Sequence, residues 1–591
     1  MNPIIQKSQL AGKLVDFAVP GSVSSKPNPE NEVDLVEGVE RSAFAYIPVS
    51  GCPHPKQTQV VYVLRGDASR ESAEDALNGL GLADLAEREH CILVFPNPLP
   101  SGWNYSQDTG CDDDAGFLVR CFATLKGATG VSGFNGMMFH IACTPEASAM
   151  AWTLAAASPL DAAAVMLGSF PEGYEAPAGD AEQVAWIYER NDTAAAVLAV
   201  NDGPCREEEI ASGAVCHTNN ENPCVCYFES SHGLTADEVA RAWKLMFSRT
   251  RRWRNDVHGI YQPRPDFKAL GFMPHVEDTS LGLDDGLPRT WFEYVPEHLR
   301  NSDEPIPLVL YFHGINCCGL YGAEQSGWAE LAESDGFMCV FPDATAEMRW
   351  NAWADDRIPS DIDFVMALID HMAEVHPLDR SRIYLSGFSM GSMFSNALAC
   401  SYPELFAGVV ACNGPHMSYT ATLDQSIPGM LIYRPNSVIK EIERRDEAVS
   451  PTRALADAKQ AEHPTQMPFV QFVGLLDNVG FEPGKLWPAA SDADGSWGPT
   501  IAYWKNIDGI DGDLYAEDTV TGFASDHEDE MGKTDRFIHQ WWDGVDGNPG
   551  LYHVIAVKRM PHAVDLEGIE LGWGIVKRFS RRADGSLVES E

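Results

Sequence analysis

Two stretches of the chain, about 246 residues apart, read as copies of one another, and that repeat limits the possible folds more than any other feature. Residues 82–96, LADLAEREHCILVFP, align without a gap with residues 328–342, WAELAESDGFMCVFP, with seven of fifteen positions identical. Upstream, Arg41, Phe44, Tyr46 and Pro48 correspond to Arg289, Phe292, Tyr294 and Pro296, and VVYVLRG (60–66) corresponds to LVLYFHG (308–314). Downstream, Trp103-Asn104 matches Trp350-Asn351, and Asp114 with Phe117 matches Asp361 with Phe364. The offset stays between 245 and 248 over more than a hundred positions. A period this long means tandem domains rather than a solenoid, and 591 residues exceed what one core supports. Each half alternates strand-length apolar runs with stretches of helical period, the pattern of a mainly parallel sheet wrapped by helices. The expectation is an α/β protein with domains at residues 1–260 and 261–591. The segment 249–288 joins them; it opens with Arg249, Arg251, Arg252 and Arg254 and carries Pro263 and Pro265.

A net charge of -44 speaks against nucleic acid or an anionic membrane as partner, because phosphate would be repelled. It reads instead as a solvated acidic surface. No apolar run approaches the length needed to span a bilayer. The first residues, MNPIIQKSQLAGKLVDF, lack the apolar core of a signal peptide, so the 14 Cys are expected as reduced thiols in a cytoplasm. One tract gathers Cys205, Cys216, His217, Cys224 and Cys226. Its C-x-C spacing departs from the usual C-x2-C zinc knuckle, and neither metal nor cofactor is expected.

The chemistry concentrates in the second half. Ile383 to Leu385 reads as a buried strand, Gly387, Ser389 and Gly391 form G-x-S-x-G, and helix formers follow from Met393 to Ala399. In that strand–turn–helix setting the pattern is a nucleophile elbow, with the serine hydroxyl raised above the sheet. Glycines flank the serine because side chains two residues either side would collide in so sharp a turn.

Partners are found at later strand ends. The run Phe469 to Val473 ends in Gly474-Leu475-Leu476-Asp477, which places a carboxylate just past a strand. The strand Leu551 to Val557 leads through Lys558-Arg559-Met560 to Pro561-His562. Ser389 is read as nucleophile, His562 as general base and Asp477 as the acid that orients it. His553, inside the strand, is read as structural, and the acidic stretch Asp526 to Glu530 as part of an insertion with no preceding strand, a weaker place for the triad acid. Earlier, Pro307 to Phe312 ends in His313-Gly314-Ile315-Asn316, the turn at which oxyanion donors arise. The backbone N–H groups of Ile315 and Met390 are the candidate donors. His313 is read as a hydrogen-bonding turn residue with a structural role rather than the base, and it is placed with the loop tryptophans Trp350 and Trp353 in the substrate-binding set. A small-molecule ester is the expected partner.

The first half departs where chemistry would sit. Thr144 falls opposite Ser389, Ala142 opposite Gly387 and Glu146 opposite Gly391, while Arg65 stands opposite His313. Pro145 after Thr144 removes the N–H that an oxyanion hole needs. His232 and Asp202 read as relics of a triad, and the first domain as non-catalytic; Thr144 as a nucleophile is the competing reading.

The second half resembles the polyhydroxybutyrate depolymerase/feruloyl esterase-like family of α/β-hydrolases. The resemblance is carried by PLVLYFHG, by residues 328–342, by RWNAW and above all by residues 363–414, which include YPELFAGVV after the elbow. It implies two tandem α/β-hydrolase domains, the first degenerate. It also implies a serine esterase acting through an acyl-enzyme on small or oligomeric hydroxyalkanoate- or hydroxycinnamoyl-type esters. Two departures stand out: Ile315-Asn316-Cys317-Cys318 after the H-G turn, and Ser392 where members usually carry another glycine. A serine peptidase or acyl-transferase on the same fold, and a non-catalytic scaffold, are the alternatives.

Overall fold

The computed structural model describes residues 6–590 except 22, 28–32, 105–110, 134–138, 158–161, 176–182, 190–204, 212, 221, 223, 254, 257–258, 346–348, 352–358, 415–464, 478–503, 506, 511–518 and 545–548. Two compact units emerge: one of Asn2–Arg254 with His258–Pro265, the other of Asp266–Glu591 with Asn255–Val257 and Met1. The expected break at 260 falls inside a hairpin. Ile260–Pro263 pairs with Thr250–Trp253, which keeps these residues with the first unit.

Among the described residues the main sheet of the first unit has ten strands: β1 (Leu14–Val19), β2 (Arg41–Tyr46), β3 (Val60–Leu64), β4 (Ile92–Pro96), β5 (Phe139–Cys143), β6 (Ala164–Leu167), β7 (Ala185–Ile187), β8 (Cys205–Ala211), β9 (Ala214–Asn219) and β10 (Cys226–Ser230). They lie in the order β1-β2-β4-β3-β5-β6-β7-β10-β9-β8. The second unit has β11 (Met273–Thr279), β12 (Arg289–Tyr294), β13 (Ile306–Phe312), β14 (Met338–Pro342), β15 (Leu378–Phe388), β16 (Gly408–Cys412), β17 (Phe469–Gly474), β18 (His527–Met531), β19 (Phe537–Asp543) and β20 (Pro549–Val557). Their order is β11-β12-β14-β13-β15-β16-β17-β20-β19-β18, the first order with ten added to every number. In the second sheet β14, β13, β15, β16, β17 and β20 run parallel, with antiparallel pairs at both edges. The parallel strands are apolar on both faces because helices cover both; β13 and β14 are buried along their whole length.

Side-chain pairs repeat with the topology. Tyr46 donates to Glu87 at 2.9 Å, and Tyr294 donates to Glu333 at 2.6 Å. Asp114 accepts from Asn104 N–H at 2.9 Å, and Asp361 accepts from Asn351 N–H at 2.7 Å.

Three local features of the second unit stand out, and among them His553 is structural, as the sequence reading has it. The acidic stretch His527–Met531 is an edge strand, paired with β19. Its residues are poor strand formers, but Glu528 accepts from Gln540 at 2.9 Å and Glu530 pairs with Lys558 at 3.0 Å. A charged outer edge also blunts sheet-to-sheet association. His553 within β20 meets the His539 ring, Nδ1 to Nε2, at 2.9 Å. The closing helix α1 of the second unit runs Leu566–Val576, and Asp565 caps its N-terminus by accepting from Gly568 N–H. Among the described residues no helix is long and apolar enough to cross a membrane.

The opposite edge carries a buried charge. Glu293 on β12 is 2% exposed and lies 2.6 Å from His376 Nε2 and 3.4 Å from His275 Nε2. Burial alone would push its carboxyl up, but the two imidazoles outweigh burial and bring it down to about 2. Glu293 in turn raises the His275 imidazole, against its burial and with help from Asp278. The signs define a window. Glu293 stabilises the fold above its ordinary value of 4.5 and ceases to as pH falls toward 2. His275 stabilises it below its ordinary 6.5 and ceases to as pH rises through its raised value. Glu293→Gln is therefore expected to lower stability most between those two ordinary values, by on the order of 2–3 kcal/mol. Thermal melts of both proteins from pH 3 to 9 test this; a difference that does not vary with pH would contradict it.

Candidate active site

The residues singled out in the second half gather where a parallel sheet presents its loops. Ser389 follows β15, the His313–Asn316 turn follows β13, Asp477 follows β17 and His562 follows β20. All four strands run in one direction, so these loops emerge at one end of the sheet, the carboxyl end at which open α/β sheets bind ligands.

The elbow is strained as the motif requires. Ser389 sits at φ +54°, ψ −119°, between β15 and helix α2 (Met390–Ser401). That backbone conformation costs a non-glycine residue of order 1–3 kcal/mol and persists only where surroundings enforce it. Here Ser389 N–H donates to Cys412 O at 2.9 Å and Ser389 O accepts from Met393 N–H at 3.1 Å. A Cβ on Gly387 would lie 2.3 Å from Gly391 O, and one on Gly391 would lie 2.0 Å from Phe312 O. Ser389 itself is partly exposed amid buried neighbours. Ser392 donates from Oγ to Gly414 O at 2.7 Å, a bond that glycine at this position would forgo.

The H-G turn stands directly against the serine: a Cβ on Gly314 would lie 3.4 Å from Ser389 Cβ. Its peptide planes are fixed by their carbonyls. Trp350 Nε1–H donates to His313 O at 2.7 Å, while Gly314 O lies 2.7 Å from His313 Nδ1 and accepts from Cys317 N–H at 3.2 Å. Ala344 N–H donates to His313 Nε2 at 3.1 Å, which leaves the ring proton on Nδ1 for Gly314 O. In a trans peptide the N–H points opposite to the C=O, so tying back Gly314 O sets the direction of Ile315 N–H. Met390, whose N–H is the other candidate, opens α2, where the first N–H groups have no partner inside the helix.

These contacts correct the substrate-binding set. His313 is fully buried and Trp350 is 1% exposed, with its ring stacked on Phe394 at 4.7 Å. Both hold the turn from behind rather than facing a ligand. For His313 this is the structural turn role read from the sequence; for Trp350 the usable signal is that it is shared with the first half, where Trp103 Nε1–H donates to Arg65 O at 2.6 Å, in the same arrangement. Trp353 lies outside the described residues.

Asp477 and His562 meet. His562 Nδ1 lies 2.8 Å from Asp477 Oδ2; the carboxylate is almost wholly buried, and the imidazole keeps a fifth of its surface exposed. With Nδ1–H donated to the carboxylate, Nε2 is left as the proton acceptor. The His562 ring packs on Phe388, the neighbour of Ser389, at 4.8 Å between centroids. The two loops are also joined through backbone, Leu476 N–H donating to Met560 O at 2.9 Å.

Among the described residues the first unit does not show this arrangement. Thr144 has ordinary extended backbone, φ −75° and ψ 161°, and Pro145 opens a short 3-10 turn behind it. His232 is exposed, and Asp202 lies outside the described residues.

A family model described as "alpha/beta hydrolase fold" matches residues 307–462. Among curated proteins, the chain is 29% identical over 153 residues to a bifunctional acetylxylan esterase/xylanase of Neocallimastix patriciarum, covering 26% of this chain and 22% of that one. It is 30% identical over 139 residues to poly(3-hydroxyalkanoate) depolymerase C of Paucimonas lemoignei, covering 22% of this chain and 32% of that one. Over 144 residues it is 27% identical to feruloyl esterase B of Thermothelomyces thermophilus, covering 23% and 47%. The chain thus spans less than half the length of each of these relatives. Among solved structures, an acetyl xylan esterase from Aspergillus awamori aligns with a TM-score of 0.35 at 16% identity, over 52% of this chain and 99% of that one. Residues 307–462 thus match the alpha/beta hydrolase fold model, and the second half of the chain has that fold.

Proposed function

We propose that this protein is a serine esterase whose nucleophile is Ser389, with His562 as general base and Asp477 as the residue that orients and charge-stabilises it. The observation that carries the reading is the His562–Asp477 pair at 2.8 Å, standing at the same sheet end as a serine with elbow backbone. Ser389 Oγ attacks the ester carbonyl as His562 Nε2 takes its proton. Ile315 and Met390 N–H groups bind the oxyanion. His562 returns the proton to the departing alcohol, and water then releases the acid by the same steps in reverse order. The substrate class is a small or oligomeric carboxylic ester. Relatives named for acetylxylan, feruloyl and poly(3-hydroxyalkanoate) esters support a carboxylic ester and leave the acyl group open among those types.

The first unit is read as non-catalytic, supported by the extended backbone of Thr144 and the missing N–H at Pro145. Free thiols such as Cys339, Cys400 and Cys412 are the form kept in a reducing compartment, which supports a cytoplasmic location. The test is a substrate panel. p-Nitrophenyl esters from acetate to octanoate, and methyl ferulate, are expected to turn over with at least one strong preference, and peptide p-nitroanilides are not. Turnover of anilides above esters would replace this reading with a peptidase.

A further inference from the structure

One short segment touches every part of the site, and it is neither nucleophile, acid, base nor oxyanion donor. Cys412 ends β16, the strand between the elbow strand and the acid strand, and Asn413 and Gly414 follow it. Cys412 O accepts from Ser389 N–H at 2.9 Å, and Gly414 O accepts from Ser392 Oγ at 2.7 Å. A Cβ on Gly414 would lie 2.1 Å from Ser389 O, so the segment presses directly on the elbow. Asn413, 3% exposed, reaches the other way. Its Oδ1 accepts from Gly474 N–H at 2.8 Å, three residues before Asp477. Its Nδ2 donates to Ala563 O at 2.6 Å, next to His562. Its own N–H donates to Phe472 O at 3.0 Å, which anchors the backbone.

The geometry points to Asn413 as a positioning residue that sets the acid loop, the base loop and the elbow in register. The inference rests on Ser389, Asp477 and His562 acting as a triad. Three features single out this side chain. An amide carries its acceptor and its donor on two separate atoms, and here each is used on a different loop. The residue stands at φ +46°, a left-handed conformation that asparagine tolerates better than most residues. And the register of the first sheet puts Gly168 at the corresponding place, since Val165 pairs with Ile141 as Val410 pairs with Ser386. Glycine there forms neither side-chain bond, in the unit that lacks the Asp–His pair. The acid loop tolerates this closeness through Gly474, where a Cβ would lie 2.4 Å from Met560 O and 2.6 Å from Pro561 O.

Two variants of the full chain test the role. Asn413→Gly accepts the left-handed backbone without strain, so it folds and removes only the two bridges. It is expected to lower kcat on a p-nitrophenyl ester about 10–100-fold with KM little changed, as misplacement of catalytic groups does. Its labelling by a fluorophosphonate should slow in the same proportion. Asn413→Asp keeps the acceptor for Gly474 N–H but turns a carboxylate oxygen toward Ala563 O. Its activity relative to wild type should be lowest where that carboxyl is ionised and rise as pH is lowered, because the protonated acid regains a donor. Equal kcat and equal labelling in Asn413→Gly and wild type would overturn the inference and leave the triad reading standing. Wild type that resists the fluorophosphonate altogether would overturn the triad reading itself, and the inference with it.

Discussion

Ser389→Ala is expected to lower kcat on p-nitrophenyl acetate by roughly five orders of magnitude, with the thermal midpoint unchanged. The size follows from the assigned chemistry. If the hydroxyl is the atom that bonds to the substrate, its loss removes the covalent route and leaves only what binding and an oxyanion hole supply to attack by water. The fold should not notice. Ser389 is partly exposed, its backbone bonds to Cys412 and Met393 remain, and the close approaches of Gly387 and Gly391 are untouched. Steady-state kinetics beside a melting curve checks both halves. A drop in activity that merely tracks a drop in stability would leave the serine no chemical role.

Asp477→Asn should be the next most damaging change, lowering kcat by about three to four orders of magnitude with KM nearly constant. Asp477 faces His562 Nδ1 at 2.8 Å, almost wholly screened from water. A carboxylate there fixes the tautomer with its proton on Nδ1 and stabilises the imidazolium formed during attack. An amide of the same shape presents either a donor that collides with Nδ1–H, which pushes the proton to Nε2, or a neutral acceptor with no charge to offer. The measurement is kcat and KM across pH 5 to 9. A variant within tenfold of wild type at every pH would remove Asp477 from the site.

Much of this was legible because the decisive signals are local. An elbow needs glycine two residues either side of its serine, and Gly387 and Gly391 supply it. A triad acid and base need only follow strands, and the apolar runs before Asp477 and His562 mark those strands. Burial is not local, and there the sequence misled: Trp350 looks like a loop residue at a binding edge, yet it is enclosed and holds the oxyanion turn from behind through His313 O. Comparison of the two halves carried the missing information. Trp103 and Asn104 repeat Trp350 and Asn351 in the half without an elbow, so that set belongs to the fold. Ser389 and Asn413, replaced by Thr144 and Gly168, belong with the features that differ between the halves. The edge strand β18 escaped notice for another reason: three of its five residues are acidic, and its strand form comes from pairing with β19 rather than from intrinsic preference.

Mass spectrometry of the full chain after reaction with a fluorophosphonate tests the central claim most directly. The account predicts one adduct, on the peptide that carries Ser389, and none after Ser389→Ala. An adduct on Thr144 or elsewhere, or a wild-type chain left unmodified while fully folded, would contradict it.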